Sequence, residues 1–277
     1  MSSKKKIPVA LPADRSWREP AVSPDGQYLA LVSSCIQDCV EGDEGSQIAL
    51  VNLSQDEANY VLLTSGPGYK RSPVFTNDGA HIVYAFGPDN GRSSDGLARV
   101  SLGRKVEVLR TFDDWGIVRA VRHSFFDGDG NYYASIYSAD NSIRKPLLKY
   151  KSDYSFSVLY KFEKDSYKTV DVVEFAKKNF VSSPSITDEG EIVFSGVSSG
   201  DYDVSGTEIF SAKNDVIRNI FSSEMNGSLV KSSRKGGILA IQASDDIYNQ
   251  KDIYIYNSSL ELEKTGISDE IIADLQP

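Results

Sequence analysis

Short runs of alternating apolar and polar residues recur along the chain, separated by glycine, proline and acidic residues. In the first unit, PAVSP is followed by the turn residues DG and then by QYLALVSS, SQIALVNLS and NYVLLTS. Alternation of this kind is typical of β-strands with one buried face. Asp-Gly between two such runs predicts a tight hairpin, because glycine accepts the positive φ that the turn requires. The pattern therefore predicts four antiparallel strands joined in sequence.

The first unit is repeated at long intervals. A proline stands six residues before a glycine in EPAVSPDG, SPVFTNDG and SPSITDEG, and the hairpin glycines at 26, 79, 130, 190 and 236 are 53, 51, 60 and 46 residues apart. Repeats of this length indicate solenoids, propellers or arrays. We expect the hairpin turns of the first four units to be formed by Asp25, Gly26, Asp78, Gly79, Asp129, Gly130, Glu189 and Gly190.

Four strands per unit, repeated radially, is the plan of a β-propeller. We predict an all-β protein with a single propeller domain of four-stranded antiparallel blades. Five blades are recognisable, at about 17–66, 67–113, 114–168, 177–222 and 223–265, followed by a tail at 266–277. In the third blade, PLLKYKS and SVLYKF are predicted as the outer two strands, and 169–179 as a short helix or an excursion between blades.

The motif P-x-x-x-x-[DE]-G resembles the repeat of the TolB-like, or PD40, propeller family, which is related to WD40-like repeats. The resemblance covers about residues 17–265 and implies a propeller. The sequence is compatible with two ways of completing the ring. Five blades close, with KIPVALP as an outer strand of the last blade, or the chain is an incomplete six-bladed TolB-like propeller, since Pro277 fits the start of another repeat.

Charge and composition limit which partners and which cellular compartments are possible. A net charge of -9 argues against nucleic acid, which requires a basic face. No apolar run approaches the roughly 20 residues that span a bilayer, and MSSKKKIPVALP does not match a signal peptide. The resemblance implies a periplasmic or otherwise extracytoplasmic protein whose signal peptide has been removed, while a cytoplasmic location and any oligomeric state stay open.

The motifs for catalysis are incomplete. GVSSG matches G-x-S-x-G with Ser198 in the nucleophile position, but a nucleophile elbow requires a following helix and a later histidine. The segment after Ser198 is SGDYDVSG, and no histidine follows position 123. The two histidines, at 81 and 123, form no acid–base pattern with carboxylates. We therefore predict no catalytic residues and no cofactor.

Two further local patterns suggest a metal site and a disulfide. Asp127, Asp129 and Asn131 resemble the start of a calcium loop, but the twelfth position is Ser138 rather than glutamate, so calcium is a weak candidate and a hairpin turn is the alternative. Cys35 and Cys39 are the only cysteines. They form either a small disulfide, which requires an oxidising compartment, or two free thiols.

Basic and aromatic residues collect on or before the first strands of three blades. If the blades stack as predicted, these side chains converge at one mouth of the channel, where a positive field would attract a carboxylate-bearing peptide or another anion. The alternative is that the cations tie blades together by pairing with Glu19, Asp14 and Asp113, or with the aspartate of a neighbouring SPDG turn. The candidate binding residues are Trp17, Arg18, Tyr69, Lys70, Arg71, Arg119, Arg122 and His123.

The absence of a catalytic pattern favours a binding scaffold, and the TolB-like resemblance implies a protein or peptide partner. One alternative is the gating propeller of a prolyl-oligopeptidase-type peptidase, separated from its hydrolase domain. Another is a carbohydrate-binding or lyase propeller, for which Trp17, Tyr69 and Trp115 are the aromatic candidates.

Overall fold

The computed structural model describes most of the predicted strands. The described residues are 11–37, 44–54, 59–88, 93–113, 115, 118–138, 157–172, 182–187, 189–196, 207–213, 216–223, 226–232, 238–244, 252–257 and 262–268. Within them the backbone forms β-strands joined by turns and contains no helix. The strands make five separate four-stranded antiparallel sheets, so the all-β prediction of four-stranded antiparallel blades is confirmed.

Each sheet is formed by consecutive strands. Sheet one contains β1 (Arg15–Val22), β2 (Tyr28–Cys35), β3 (Gln47–Asn52) and β4 (Tyr60–Leu62). Sheet two contains β5 (Tyr69–Phe75), β6 (His81–Gly87), β7 (Gly96–Ser101) and β8 (Val106–Thr111). Sheet three contains β9 (Val118–Phe126), β10 (Tyr132–Ser138), β11 (Ser157–Phe162) and β12 (Thr169–Val172). Sheet four contains β13 (Ser182–Ile186), β14 (Ile192–Gly196), β15 (Thr207–Lys213) and β16 (Val216–Ser223). Sheet five contains β17 (Asn226–Ser232), β18 (Ile238–Ser244), β19 (Asp252–Asn257) and β20 (Leu262–Ser268).

The first strand of each sheet packs against the first strand of the next. Thus β1 contacts β5, β5 contacts β9, β9 contacts β13 and β13 contacts β17. This arrangement places the first strands on the inside of the fold, with strands two, three and four leading outwards. How the ring closes stays a prediction, because 1–10 and 269–277 lie outside the described residues.

Sheet three differs from its predicted strand assignment. SVLYKF is the third strand rather than the fourth. The prediction of a short helix or an inter-blade excursion at 169–179 is wrong over Thr169–Val172, which is strand β12 of this sheet. Val172 pairs with Tyr160 and Asp171 pairs with Lys161. The β-branched residues of TVDV favour a strand where an open edge on β11 can accept their hydrogen bonds. PLLKYKS and 173–179 lie outside the described residues.

The sheets extend slightly beyond the predicted blade limits. Sheet one begins at Arg15, sheet three reaches Val172 and sheet five reaches Ser268. The division of the chain into one domain with a tail at 266–277 stays a prediction.

Apolar side chains fill the spaces between neighbouring sheets. Ile48 of sheet one packs with Ile82 and Tyr84 of sheet two. The next interface joins residues such as Leu97 of sheet two to Tyr132 of sheet three. Sheets three and four meet through Phe125, Tyr133, Leu159, Ile192, Phe194 and Phe210. Each large side chain buried in this way stabilises the fold by roughly 1.5–3 kcal/mol, so the sheets hold each other through both faces.

The repeated turn is held by side chains as well as by glycine. The glycines at 26, 79, 130 and 190 all have positive φ, between 69° and 87°. Asp78 Oδ1 accepts hydrogen bonds from Ala80 N at 3.0 Å and Thr76 Oγ1 at 2.6 Å, and Asp25 is held in the same way by Gln27 N and Ser23 Oγ. These hydrogen bonds lower the pKa of both aspartates, the hydroxyl bond contributing most. Asp129 is exposed, and the carboxylate of Glu189 lies 3.7 Å from Lys213 Nζ.

Candidate functional site

A bulge interrupts the first strand at an equivalent place in successive sheets. The residues Glu19, Ser72, His123 and Ser183 all have positive φ, between 48° and 53°, and the pairing register shifts at each of them. A residue other than glycine costs roughly 1–3 kcal/mol in such a conformation. This conformation recurs on the inner strands of four sheets, so it belongs to the repeat.

An arginine stands immediately before three of these bulges. Arg18 pairs with Val32, Arg71 with Ala85 and Arg122 with Ser135, each as the last partner before the register shift. The three arginines therefore occupy the same position on the first strands of sheets one, two and three. We call them the arginine track. In sheets four and five the same position is occupied by Ser182 and Gly227.

Among the described residues, no carboxylate forms an ion pair with the arginine track. Arg18 Nη2 donates a hydrogen bond to Ser34 Oγ at 3.1 Å, and the Arg71 guanidinium lies 4.2 Å from the centroid of the Tyr69 ring. Arg18 and Arg122 are exposed and Arg71 is half-buried. Within the described part of the chain, none of the three forms an ion pair.

The acidic residues that could have neutralised these arginines have other partners. Glu19 Oε2 accepts a hydrogen bond from Ser72 N at 2.5 Å, and Asp113 Oδ2 accepts one from Thr111 Oγ1 at 2.7 Å. Asp14 forms no ion pair with an arginine within the described residues. Within the described residues, Glu19, Asp14 and Asp113 therefore do not pair with the arginines, contrary to the alternative given above.

Glu19 and Ser72 instead connect sheets through backbone groups. The Glu19 carboxylate crosses from sheet one to the Ser72 amide of sheet two. Ser72 Oγ then donates to the Val121 carbonyl of sheet three at 2.7 Å. The sequence reading missed both links, because it did not predict the bulge that turns the Ser72 amide out of its ladder. Aligning the units on their glycines does place arginine eight residues before each of the first three.

Lys70 lies apart from the arginine track although it precedes Arg71. Its side chain is buried, and Nζ donates to the carbonyls of Gly66 at 2.7 Å, Pro67 at 2.9 Å and Gly68 at 3.4 Å. Its charge is therefore used to hold the loop that leads into β5. Of the other candidates, His123 is half-buried at its bulge, and the Arg119 side chain lies outside the described residues.

The aromatic candidates are packed within the protein. The Trp17 ring meets Tyr60 edge-on at 5.0 Å, and its Nε1 donates to the Pro12 carbonyl. The Tyr69 hydroxyl bonds to Ser93 O and Ser94 Oγ, and burial raises the pKa of this tyrosine. Trp115 is buried against three rings, those of Phe112, Tyr160 and Phe162. Tyr69 and Trp115 are therefore buried and not available to stack on a sugar, whereas Trp17 is half-buried.

The calcium candidate forms a closed turn. Asp127 Oδ1 accepts from Asn131 N and Oδ2 accepts from Asn131 Nδ2, each at 2.8 Å, and Lys161 Nζ lies 3.9 Å from Oδ2. The described residues contain no group of three or more His, Cys, Asp or Glu that could hold a metal ion. Ser198 lies outside the described residues.

The remaining local prediction concerns the cysteines. Cys35 ends β2 and is disulfide-bonded. Cys39 lies outside the described residues, so its pairing with Cys35 stays a prediction.

Comparison with known proteins supports the fold. No family model and no curated protein matches the chain. TolB from Acinetobacter baumannii is similar in structure, with a TM-score of 0.61 and 15% identity over 90% of this chain and 53% of that one. The chain has a TolB-like β-propeller fold. It thus spans about half the length of that TolB.

Enzymes with propellers have the same architecture. Oligogalacturonate lyase from Vibrio parahaemolyticus is 13% identical, with a TM-score of 0.61 over 95% of this chain and 82% of that one. A puromycin-hydrolyzing peptidase from Mycobacterium tuberculosis is 11% identical, with a TM-score of 0.58 over 92% of this chain and 38% of that one. At these identities the likeness establishes the fold, and function has to be argued from the site.

The described residues also include no helix long and apolar enough to cross a membrane.

Proposed function

We propose that the chain is a non-catalytic β-propeller scaffold that binds a protein partner on its inner strands. The observation that carries this proposal is the arginine track, three guanidiniums at equivalent positions that form no ion pair with a carboxylate among the described residues. Guanidinium groups bind carboxylates through two parallel hydrogen bonds, which provide both orientation and energy. Positive charge gathered on a protein of net charge -9 makes this surface locally attractive to anions.

The proposal involves no reaction. His81 lies on the second strand of sheet two and His123 on the first strand of sheet three, so the two histidines of the chain belong to different blades. The burial of Tyr69 and Trp115 supports a protein ligand over a sugar. The net charge argues against nucleic acid.

A cross-linking pull-down from the native extract tests the proposal. The bait proteins are the wild-type chain, the variant Arg18→Glu/Arg71→Glu/Arg122→Glu, and a control, Lys105→Glu/Lys164→Glu/Lys168→Glu. The control has the same charge change at exposed positions in hairpin loops. Lys70 is left unchanged because its buried ammonium holds three carbonyls. Circular dichroism and thermal melts establish that all three chains fold alike.

We expect the wild type and the control to capture the same protein and the arginine variant to lose it. Equal capture by all three chains, or capture by none, would overturn the binding role of the arginine track. It would leave Arg18, Arg71 and Arg122 as solvated side chains on the inner strands.

The proposal places the protein outside the cytoplasm. This location rests on the TolB-like resemblance of the repeat, and a disulfide between Cys35 and Cys39 would require an oxidising compartment of the same kind.

A second candidate is a gating propeller that works with a separate hydrolase. The likeness to the propeller part of the puromycin-hydrolyzing peptidase favours it, since this chain covers 38% of that protein. The same pull-down distinguishes the two candidates. A captured protein that reacts with a fluorophosphonate serine-hydrolase probe supports the gating role, and an unreactive captured protein supports the scaffold.

A further inference from the structure

Resting on the proposed function, we infer that the partner presents an extended acidic segment that lies across the first strands of sheets one to three. Three of its carboxylates bind Arg18, Arg71 and Arg122, one carboxylate for each blade. The partner element is thus an acidic peptide segment with spaced charges, rather than a single terminal carboxylate.

The equivalence of the three positions carries this inference. Each arginine is the last paired residue before its bulge, and β1, β5 and β9 pack in that order. One arginine of the track therefore lies at the equivalent position on each of three neighbouring inner strands. A ligand that meets one of these arginines reaches the next by crossing one blade, not by moving along a strand.

The spacing of the blades sets the spacing of the acidic residues. Sheets packed face to face lie about 10 Å apart, and a segment extended as a polyproline II helix rises about 3.1 Å per residue and has three residues per turn, so that every third side chain lies on the same side. About three residues of an extended segment therefore separate one arginine from the next. The inference is an acidic residue at roughly every third position.

The rest of the inner surface limits where the segment lies. At the equivalent positions of sheets four and five, Ser182 and Gly227 replace arginine. Cationic contacts at this level thus end after sheet three. Three acidic residues match the track, and a fourth at the same spacing would meet no arginine there.

The link between Glu19 and Ser72 shows why the arginines remain available to a ligand. Glu19 is the residue next to Arg18, yet its carboxylate accepts from a backbone amide of sheet two. Ser72, next to Arg71, has its hydroxyl bound to the Val121 carbonyl. Glu19 and Ser72 thus use their polar groups between sheets, and the arginines before them have no anionic partner in the part of the chain that the structure describes.

The test is a fluorescence anisotropy titration of the full chain with labelled synthetic peptides. The first peptide carries three glutamates separated by two small neutral residues. The second has the same composition with the glutamates adjacent, and the third replaces them with glutamine. An oligogalacturonate with three carboxylates tests the carbohydrate alternative. The proteins are the wild type, the single and triple Arg→Gln variants of the track, and Lys105→Gln/Lys164→Gln/Lys168→Gln as the control.

We expect the spaced peptide to bind best, the glutamine peptide not to bind, and affinity to fall about three- to tenfold for each arginine removed. The lysine control should bind like the wild type, and raising the salt concentration should weaken binding. Equal binding of the spaced and adjacent peptides, tighter binding of the oligogalacturonate, or no binding of any peptide would overturn the inference. If the pull-down still depends on the arginine track in that case, the scaffold proposal stands and only the acidic segment is wrong.

Discussion

Asp78 shows how a single residue of the repeat contributes to stability. Its carboxylate accepts a hydroxyl and a backbone hydrogen bond in the turn, and these bonds lower its pKa below the ordinary value for an aspartate. A carboxyl group with a lowered pKa in the folded state stabilises the fold above its unfolded pKa. That contribution is lost as the pH falls through the folded value.

We therefore expect Asp78→Asn to be less stable than the wild type at pH 7, with the difference shrinking as the pH falls below about 4. Asp25→Asn should behave in the same way, because Asp25 occupies the same position in the first turn. Urea unfolding at pH 7, 5, 4 and 3 provides the measurement. A difference that stays constant over this range would show that the ionised carboxylate does not hold the turn.

The turns around Asp25 and Asp78 could be predicted from the sequence. Whether carboxylates pair with the arginine track could not. The hairpin signal is local, since Asp, Gly and the flanking alternation lie within a few residues of each other. Whether Glu19 pairs with an arginine or with a backbone amide depends on the Ser72 bulge, 53 residues away. Sequence alone therefore found Arg18, Arg71 and Arg122 but left their neutralisation open. The sequence also predicted Lys70 as a binding residue, although its ammonium group donates hydrogen bonds to three backbone carbonyls.

At the scale of the element, the first strand with its bulge joins neighbouring blades. Glu19 of sheet one and Ser72 of sheet two form polar links along the inside, beside the apolar interfaces of the sheet faces. These links hold the bulges of neighbouring strands, and hence the arginines beside them, at a common level. The bulge thus has a structural role in the interface and a positioning role for the candidate site.

Removing the first of these links should loosen sheet one from sheet two. We expect Glu19→Ala to lower the free energy of unfolding by about 1–3 kcal/mol, because the Ser72 amide loses a charged acceptor. Glu19→Gln retains an acceptor oxygen and should cost less. Glu107→Ala, which removes an exposed ion pair with Arg99, serves as the control and should change stability by less than about 1 kcal/mol. Equal effects of Glu19→Ala and the control in urea unfolding would mean that the link adds no stability.

The strands themselves were predictable to different degrees. Sheets one, two, four and five follow the predicted order of alternating runs, since each predicted run forms one strand of the sheet. Sheet three departs from its predicted order because β12 is only four residues long and belongs to a longer segment whose apolar residues have helical spacing. Its strand character comes from pairing with β11, which is a tertiary effect.

At the scale of the whole molecule, the sheets are joined by apolar faces and present an inner side that is chemically uneven. The arginine track covers the first strands of sheets one to three, and neutral residues take its place in sheets four and five. A TolB-like propeller fold is compatible with scaffolds and with enzymes alike. What separates this chain from a featureless scaffold, in our proposal, is the arginine track on that inner side, which forms no ion pair within the described residues.

The most direct test of this account is arginine-selective labelling of the isolated chain with a phenylglyoxal reagent, followed residue by residue by mass spectrometry. Arg18 and Arg122 should react fastest, half-buried Arg71 more slowly, and Arg15, which is buried and bonded to Ser33 Oγ, slowest. That order would establish that the arginine track is open to a ligand in the folded protein. If Arg18 and Arg122 were protected as strongly as Arg15, the inner strands would not offer the cations on which the proposed binding surface depends.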